Sequence, residues 1–591
     1  VSVRKFFYLA LAAALLMVRV AGAQSEARFQ FVQPGVDPLK ADLKYLVELS
    51  PTPALQKQWA QTLEPLIDSF AEGIDPAKPL RVDVVFGKEI GYELHFPIKK
   101  LEGKGGFIPN ISGFGFVIKK IGDSLYSVTE AGGKGAPAKK PVFMRYANGY
   151  ASIAPTQAAI PATLPNPITD KAKGVQPLLE KGFDVLGWLK NSSVASDVAA
   201  RRANFQELRK QLEAGLTARR NEDKNEFALR KLSLVQNLAE AERFIVETDE
   251  LLVGWTTSAT TKDAPGKGKA EFSITPLAGT GLFDSTQLMA AKSSYFANVV
   301  ISPKAVVAGK INFAIDPLRG EHLKGFHKAV RPVLEAQIDK RATIKDADQK
   351  KAVKEAANLL IDMLDEAIPL ATADLFLDLH SAGEGKHTLI CGVRAADGKK
   401  ADGIMKLLPR VNAGRDVKMD IQKIGDDVSL HSVTVPERRQ AAFHKLFPGE
   451  SIIYVATSKD AVWGAAGVNA VEELTAAIKQ AAEPAPEKVD PRVLYFSAHA
   501  ARMVELLDIV RPEPQKIDET LPKDEQARQR QRAKDLDQVR KLAVDATAKC
   551  DSIFSGEIKK DGKSIVGTID VSECVLKFIG AVTADFAKVF Q

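Results

Sequence analysis

The segment Met419–Val435, MDIQKIGDDVSLHSVTV, has an earlier counterpart in Phe116–Thr129, FVIKKIGDSLYSVT. Each reads as a strand, a tight Ile-Gly-Asp turn and a second strand, with Ile121-Gly122-Asp123 answered by Ile424-Gly425-Asp426. A strand-turn-strand unit that returns once in a long chain constrains the fold to two related blocks. Stretches alternating apolar and polar residues around such turns belong to antiparallel sheets with one covered face. The expected fold class is therefore α+β: two tandem divergent repeats, each a mainly antiparallel sheet covered by helices, with a long helical arm.

The rest of the chain fits this plan. The first unit, residues 24–285, starts with the strand Arg28–Val32 and continues with helices over Leu39–Phe70, divided at Pro51 and Pro53. A hairpin at Leu80–Leu94, turning at Gly87-Lys88, precedes the first Ile-Gly-Asp unit, and Asn148-Gly149 marks another two-residue turn. A helical arm, 199–246, places Phe205, Leu208 and Leu212 on one face and leads through Asp249–Gly254 to a return strand, Ala270–Pro276. The second unit, residues 286–591, starts with the strand Lys310–Asp316, followed by helices over Leu323–Ala371. A hairpin joins Asp374–Leu379 to Thr388–Arg394, and a short helix covers Ala401–Leu408. Ser451–Ala456 matches the strand ending near Ile153, with Tyr454 answering Tyr150, and Ser458 is expected to cap a helix running to Ala481. The second arm, 523–548, leads through Asp551–Gly556 to the return strand Ser564–Val571.

Residues 1–23 have the layout of a signal peptide: Arg4 and Lys5, the apolar run Phe6–Val18, and Ala21-Gly22-Ala23 as the cleavage site. Cleavage near Ala23 predicts an exported protein, in the periplasm or at the cell surface, with no transmembrane segment in the mature chain. The formal charge is +7, with Arg4, Lys5 and Arg19 inside the leader. The remaining lysine pairs flank strand ends and make no dense basic stripe, which argues against nucleic acid. Three cysteines do not make a disulfide framework. Cys391 lies within an apolar strand, whereas Cys550 and Cys574 flank the last hairpin and are a candidate disulfide.

Chemistry-bearing motifs are sparse. His380 and His387 flank the Gly383–Gly385 turn, with Asp378 two residues before His380 on the same strand face. Two imidazoles and a carboxylate suit a zinc ion with an open position for water, so these three are the candidate metal ligands. His322 and His327, five residues apart, miss the spacing of a helical metal pair and read as surface groups. Asp561-Gly562-Lys563-Ser564 ends like a phosphate loop, but Glu557 stands where that loop needs its first glycine. No cofactor is expected. The 28 phenylalanines favour generous apolar packing, or a pocket for an apolar ligand between sheet and helices.

The Ile421–Thr434 unit, the later Ser451–Gly467 stretch and the closing Ser564–Gly580 stretch together resemble large exported bacterial proteins of planctomycete type built from two divergent α+β repeats. The resemblance implies export and duplication, and carries over no catalytic or binding residue. The expected function is an exported non-enzymatic binding or structural module of the bacterial envelope, with an envelope protein or an apolar ligand as partner. A carrier of a lipid or other apolar ligand comes second, and a metal-dependent hydrolase third.

Overall fold

The computed structural model describes residues 27–49, 53–86, 90–130, 140–170, 175–191, 193–220, 222–261, 265–341, 344, 346–383, 385–411, 416–509, 523–547, 553–578 and 580. The leader, the Gly87-Lys88 turn and Cys550 lie outside them. The described residues mix helices with antiparallel strands and divide into two compact units. The first is drawn from Val1–Lys210, Glu242–Leu277 and Thr568–Gln591, the second from Gln211–Ala241 and Ala278–Gly567. The division thus falls at 277/278 rather than 285/286, and the arm segment 211–241 groups with the second unit. The first arm is two helices, Ala195–Ala214 and Lys224–Glu247.

The strands of unit one are β1 (Ala27–Gln33), β2 (Leu80–Phe86), β3 (Ile90–Pro97), β4 (Phe116–Gly122) and β5 (Leu125–Glu130). They continue with β6 (Val142–Ala147), β7 (Tyr150–Ala154), β8 (Val185–Lys190), β9 (Thr248–Ser258) and β10 (Lys267–Pro276). Their pairing gives the antiparallel order β4-β5-β6-β7-β3-β2-β1-β8-β9-β10. Alternation then sorts the side chains. Ala151 and Ile153 join Val36, Ile74, Phe107 and Met144 in a core under the helices between β1 and β2 and between β3 and β4. Tyr150 faces the other way, into a core with Val32, Ile168, Val175 and Leu252, closed by the segment between β7 and β8.

In unit two the strands are β11 (Ala305–Ala314), β12 (Thr372–Gly383), β13 (Lys386–Arg394), β14 (Val417–Ile424) and β15 (Val428–Thr434). β16 (Ile452–Thr457), β17 (Ala461–Gly467), β18 (Arg492–His499), β19 (Ile553–Asp561) and β20 (Ser564–Ser572) follow, with Ser564–Gly567 of β20 in this unit. Their order is β14-β15-β16-β17-β13-β12-β11-β18-β19-β20. The core gathers Phe296, Phe376, Leu430, Trp463 and Leu474 beneath the helix Ala470–Ala482.

Two expectations need correction. Ser458 caps no helix: its hydroxyl accepts from the Ala461 amide in the turn between β16 and β17, and the helix begins at Ala470. The Ala461–Gly467 run is a strand because β13 and β16 flank it on both sides and satisfy its backbone. Tyr454 lies in the sixth strand of its unit and Tyr150 in the seventh of its own, so they are not counterparts by strand order. The shared Ile-Gly-Asp triplet sits at the same hairpin in both units but closes it differently. Gly122 ends β4 and Ser124 takes the positive φ, whereas Gly425 itself has φ +65 in the longer second turn.

Candidate functional site

The three expected metal ligands are all buried, but they do not converge. The register sets His380 opposite Thr388 and His387 opposite Ser381, so the two imidazoles project from opposite faces of the sheet. His387 Nδ1 donates to the Leu446 carbonyl at 3.1 Å. His380 stands between carboxylates, with Nδ1 3.4 Å from Asp378 Oδ1 and Nε2 2.8 Å from Glu473 Oε2. Asp378 Oδ2 accepts the Ser302 amide at 2.8 Å. Asp378, and then Glu473, hold the His380 imidazole above its ordinary pKa against the opposing effect of burial. The pair with Glu473 joins β12 to the helix Ala470–Ala482.

A histidine raised in this way stabilises the folded state fully below its ordinary value of 6.5, and that contribution is lost as pH rises through the raised value. His380→Gln is therefore expected to cost on the order of 1–3 kcal/mol at pH 6. Denaturant titrations of both proteins from pH 6 to pH 9 should show the difference shrinking; a constant or growing difference would contradict the clamp.

Unit one holds a second buried cluster. Arg81 and Asp83 in β2 and Glu93 and His95 in β3 share one sheet face, Arg81 opposite His95 and Asp83 opposite Glu93. Asp83, Glu93 and His95 each bring a potential ligand atom within 4.8 Å of the others. Both Asp83 oxygens are engaged at 2.6 Å by the Arg81 guanidinium, which also donates to the Pro167 carbonyl. His95 Nδ1 meets Ser152 Oγ at 2.9 Å, and its Nε2 lies 3.7 Å from Glu93. The guanidinium already supplies the cation that the carboxylates need, so the arrangement suits a buried ion network better than a metal. Sequence reading missed this cluster, although charged residues two apart in both strands of one hairpin are its signal.

A third group, His431, Thr457 and Asp402, has the composition of a nucleophile relay. His431 Nδ1 accepts the Asp420 amide at 2.9 Å, which puts the proton on Nε2. Nε2 faces Thr457 Oγ1 at 3.0 Å and Asp402 at 3.1 Å, while the Thr457 hydroxyl donates to Asp402 at 2.7 Å. A protonated Nε2 cannot take the threonine proton, so the group works as a buried brace. His327, expected at the surface, is also buried and pairs with Asp365 at 2.7 Å. Of the candidate disulfide, Cys574 is disulfide-bonded, Cys391 is free, and Cys550 lies outside the described residues.

The helix Val36–Leu49 brings Asp42 near Asp184, whose carboxylate accepts the Thr257 amide. Burial, then the Asp184 charge, push the Asp42 carboxyl up to about 6 from 3.8. A carboxyl raised on folding favours the folded state below 3.8, and that advantage is lost as pH rises through about 6. Asp42→Asn should therefore stabilise unit one at pH 8, by on the order of 1 kcal/mol after allowance for solvent screening. The gain should fade toward pH 4 in thermal melts, and a loss at pH 8 would contradict the assignment.

Unit two also holds a partly enclosed cavity at its sheet. It has a volume of about 350 Å³ and is walled by the segment before β11, by β11 and β18, and by the loop after the helix Ala470–Ala482. Lys310 and Tyr495 are cross-strand partners on its floor. Arg492 begins β18, where the β18–β19 register slips between Arg492 and Leu494, and its guanidinium stacks 5.3 Å over the Tyr495 ring. Arg492 also forks onto Asp490, with contacts of 2.7–3.0 Å. Lys310 Nζ donates to the carbonyls of Val299 at 2.7 Å and Ala297 at 3.1 Å, leaving one of its three N–H groups. Burial, then the Arg492 charge, lower its pKa. The wall is braced by Asn298, which donates to the carbonyls of Glu483 and Pro484, and by Gln480, which accepts the Val300 amide.

Among the described residues, no helix is long and apolar enough to cross a membrane. No protein family, curated protein or solved structure matches the chain.

Proposed function

We propose that this protein is an exported, non-enzymatic binding module of the bacterial envelope, built from two divergent copies of one sheet-and-helix block. The duplication is supported by the strand order: counted from β1 and from β11, each strand has the same neighbours within its unit as its counterpart. The helices between the first and second strands, and between the third and fourth, recur as well. Export is supported by the leader-like residues 1–23 and predicts a purified chain that begins at Gln24.

The observation that carries the binding reading is the cavity beside Lys310. A lysine drawn into a sheet and held by two backbone carbonyls loses solvation, a cost that a bound anion would offset. The charged lining favours this over an apolar cargo, which would need an aliphatic wall.

The test is a thermal-shift screen of a broad small-molecule library on the wild type and on Ala297→Trp, whose indole would fill the cavity. Compounds that raise the wild-type midpoint should leave the filled variant unmoved, with circular dichroism verifying that the variant folds. Asn312→Gln serves as a second, milder obstruction. An empty screen, or hits that stabilise wild type and both variants alike, would refute the reading.

A further inference from the structure

We propose that the unit-two cavity recognises a small polyhydroxylated anion, a sugar acid or a sugar phosphate. This rests on the binding reading above and adds the ligand class. The lining carries Lys310, Lys488 and Arg492 against a single acid, Asp490. Asp490 is held by Arg492, and Asp374, bonded to the lining Ser294, offsets part of the Lys310 charge, so a net positive charge remains for a ligand. Lys488 is exposed at the rim, where it can meet an incoming anion, and the last N–H of Lys310 is the donor at the floor.

Charge alone would admit any anion, but the remaining lining is selective. Asn312 donates to the Lys292 carbonyl, which leaves its side-chain oxygen as an acceptor, and Ser293 adds a hydroxyl that can donate or accept. The Tyr495 hydroxyl adds another such group beside a ring that can lie against a sugar face. A volume of about 350 Å³ is at the small end for ligand pockets and suits one sugar-sized ring rather than a lipid chain or a nucleotide.

Isothermal titration calorimetry on the full mature chain decides the matter, with glucuronate, gluconate and glucose 6-phosphate as probes. Glucose, acetate and inorganic phosphate serve as controls lacking charge or hydroxyls. At least one probe should bind saturably with Kd below about 1 mM. Each control should be weaker by about tenfold or more. Glucuronate or gluconate outranking glucose 6-phosphate would mark a sugar acid, and the reverse order a sugar phosphate.

Lys488→Glu, an exposed change that spares the core, should weaken the best probe by about tenfold. Asp490→Asn frees the Arg492 guanidinium and should tighten it, an opposite sign that general destabilisation would not produce. Lys310→Met should abolish binding, and its melting curve reports whether it still folds. If no probe binds below about 1 mM, if glucose, acetate or phosphate binds as well as the probes, or if Lys488→Glu and Asp490→Asn leave affinity unchanged, the proposal is wrong. Cavity-dependent hits that are neutral or apolar in the screen above would sink this proposal alone and leave the binding module standing.

Discussion

Arg81→Ala is expected to destabilise unit one by about 3–5 kcal/mol, the range for removing one partner of a buried ion pair. Arg81 and Asp83 are 3% and 0% exposed, and Glu93 and His95 are buried beside them. Truncating the guanidinium takes away the cation that engages both Asp83 oxygens on a buried sheet face. It also frees the Pro167 carbonyl, which lies in the segment closing that face. A net stability of about 5–15 kcal/mol makes such a loss a large fraction of the whole.

The asymmetry of buried pairs gives a second arm. Replacing both partners by apolar residues, as in Arg81→Met with Asp83→Leu, should recover at least about half of the loss, because no buried charge of the pair is left alone. Denaturant unfolding followed through Trp188, the cross-strand neighbour of Gln30 on the adjacent strand, reads both variants. A single variant costing less than about 1 kcal/mol would mean that the network is hydrated and would contradict this expectation.

In unit two the largest effect is expected at Trp463. Its ring meets Phe296 edge-on with centroids 5.1 Å apart, Phe376 at 5.7 Å and Tyr295 at 6.2 Å. Room for this cluster comes from Gly392, cross-strand from Trp463, where a Cβ would fall 2.7 Å from both the Phe296 and Phe376 rings. Trp463→Ala should cost about 3–5 kcal/mol through lost contacts and the cavity left behind. Trp463→Phe should cost less than about 1.5 kcal/mol, because the buried indole N–H has no hydrogen-bond partner and its removal relieves a desolvation penalty. Guanidinium titrations followed by far-ultraviolet circular dichroism measure both. Equal losses for the two variants would show that the indole N–H, not the ring, holds this core.

The hairpins were the legible part of the chain, because two-residue turns and apolar alternation are local signals. Asn148-Gly149 closes β6 onto β7 with both residues at positive φ, as that dipeptide predicts. The Ala461–Gly467 run was misread because alanine and glycine carry little strand preference of their own; its neighbours β13 and β16 decide its conformation. The separation of His380 from His387 was not legible either. Which face a residue takes depends on register, and here the register shifts between Ser381 and Gly383 inside the hairpin.

The charged cluster of unit one was legible in principle, since Arg81-Asp83 and Glu93-His95 repeat at the spacing of one strand face. The cavity was beyond sequence reading, because its walls come from segments near residues 293, 310 and 490 that only the β11–β18 pairing brings together. A lysine in a strand otherwise reads as an edge residue that discourages aggregation.

The place where a ligand touches the chain is the decisive property of unit two. The direct measurement is amide hydrogen exchange, with and without the best-binding compound. Slower exchange is expected in β11, in β18 and in the loop after the helix Ala470–Ala482, with Ala297→Trp abolishing the change. Protection confined to the helices Pro317–Lys340 and Ala347–Ala367, or to unit one, would place the ligand elsewhere and contradict the assignment.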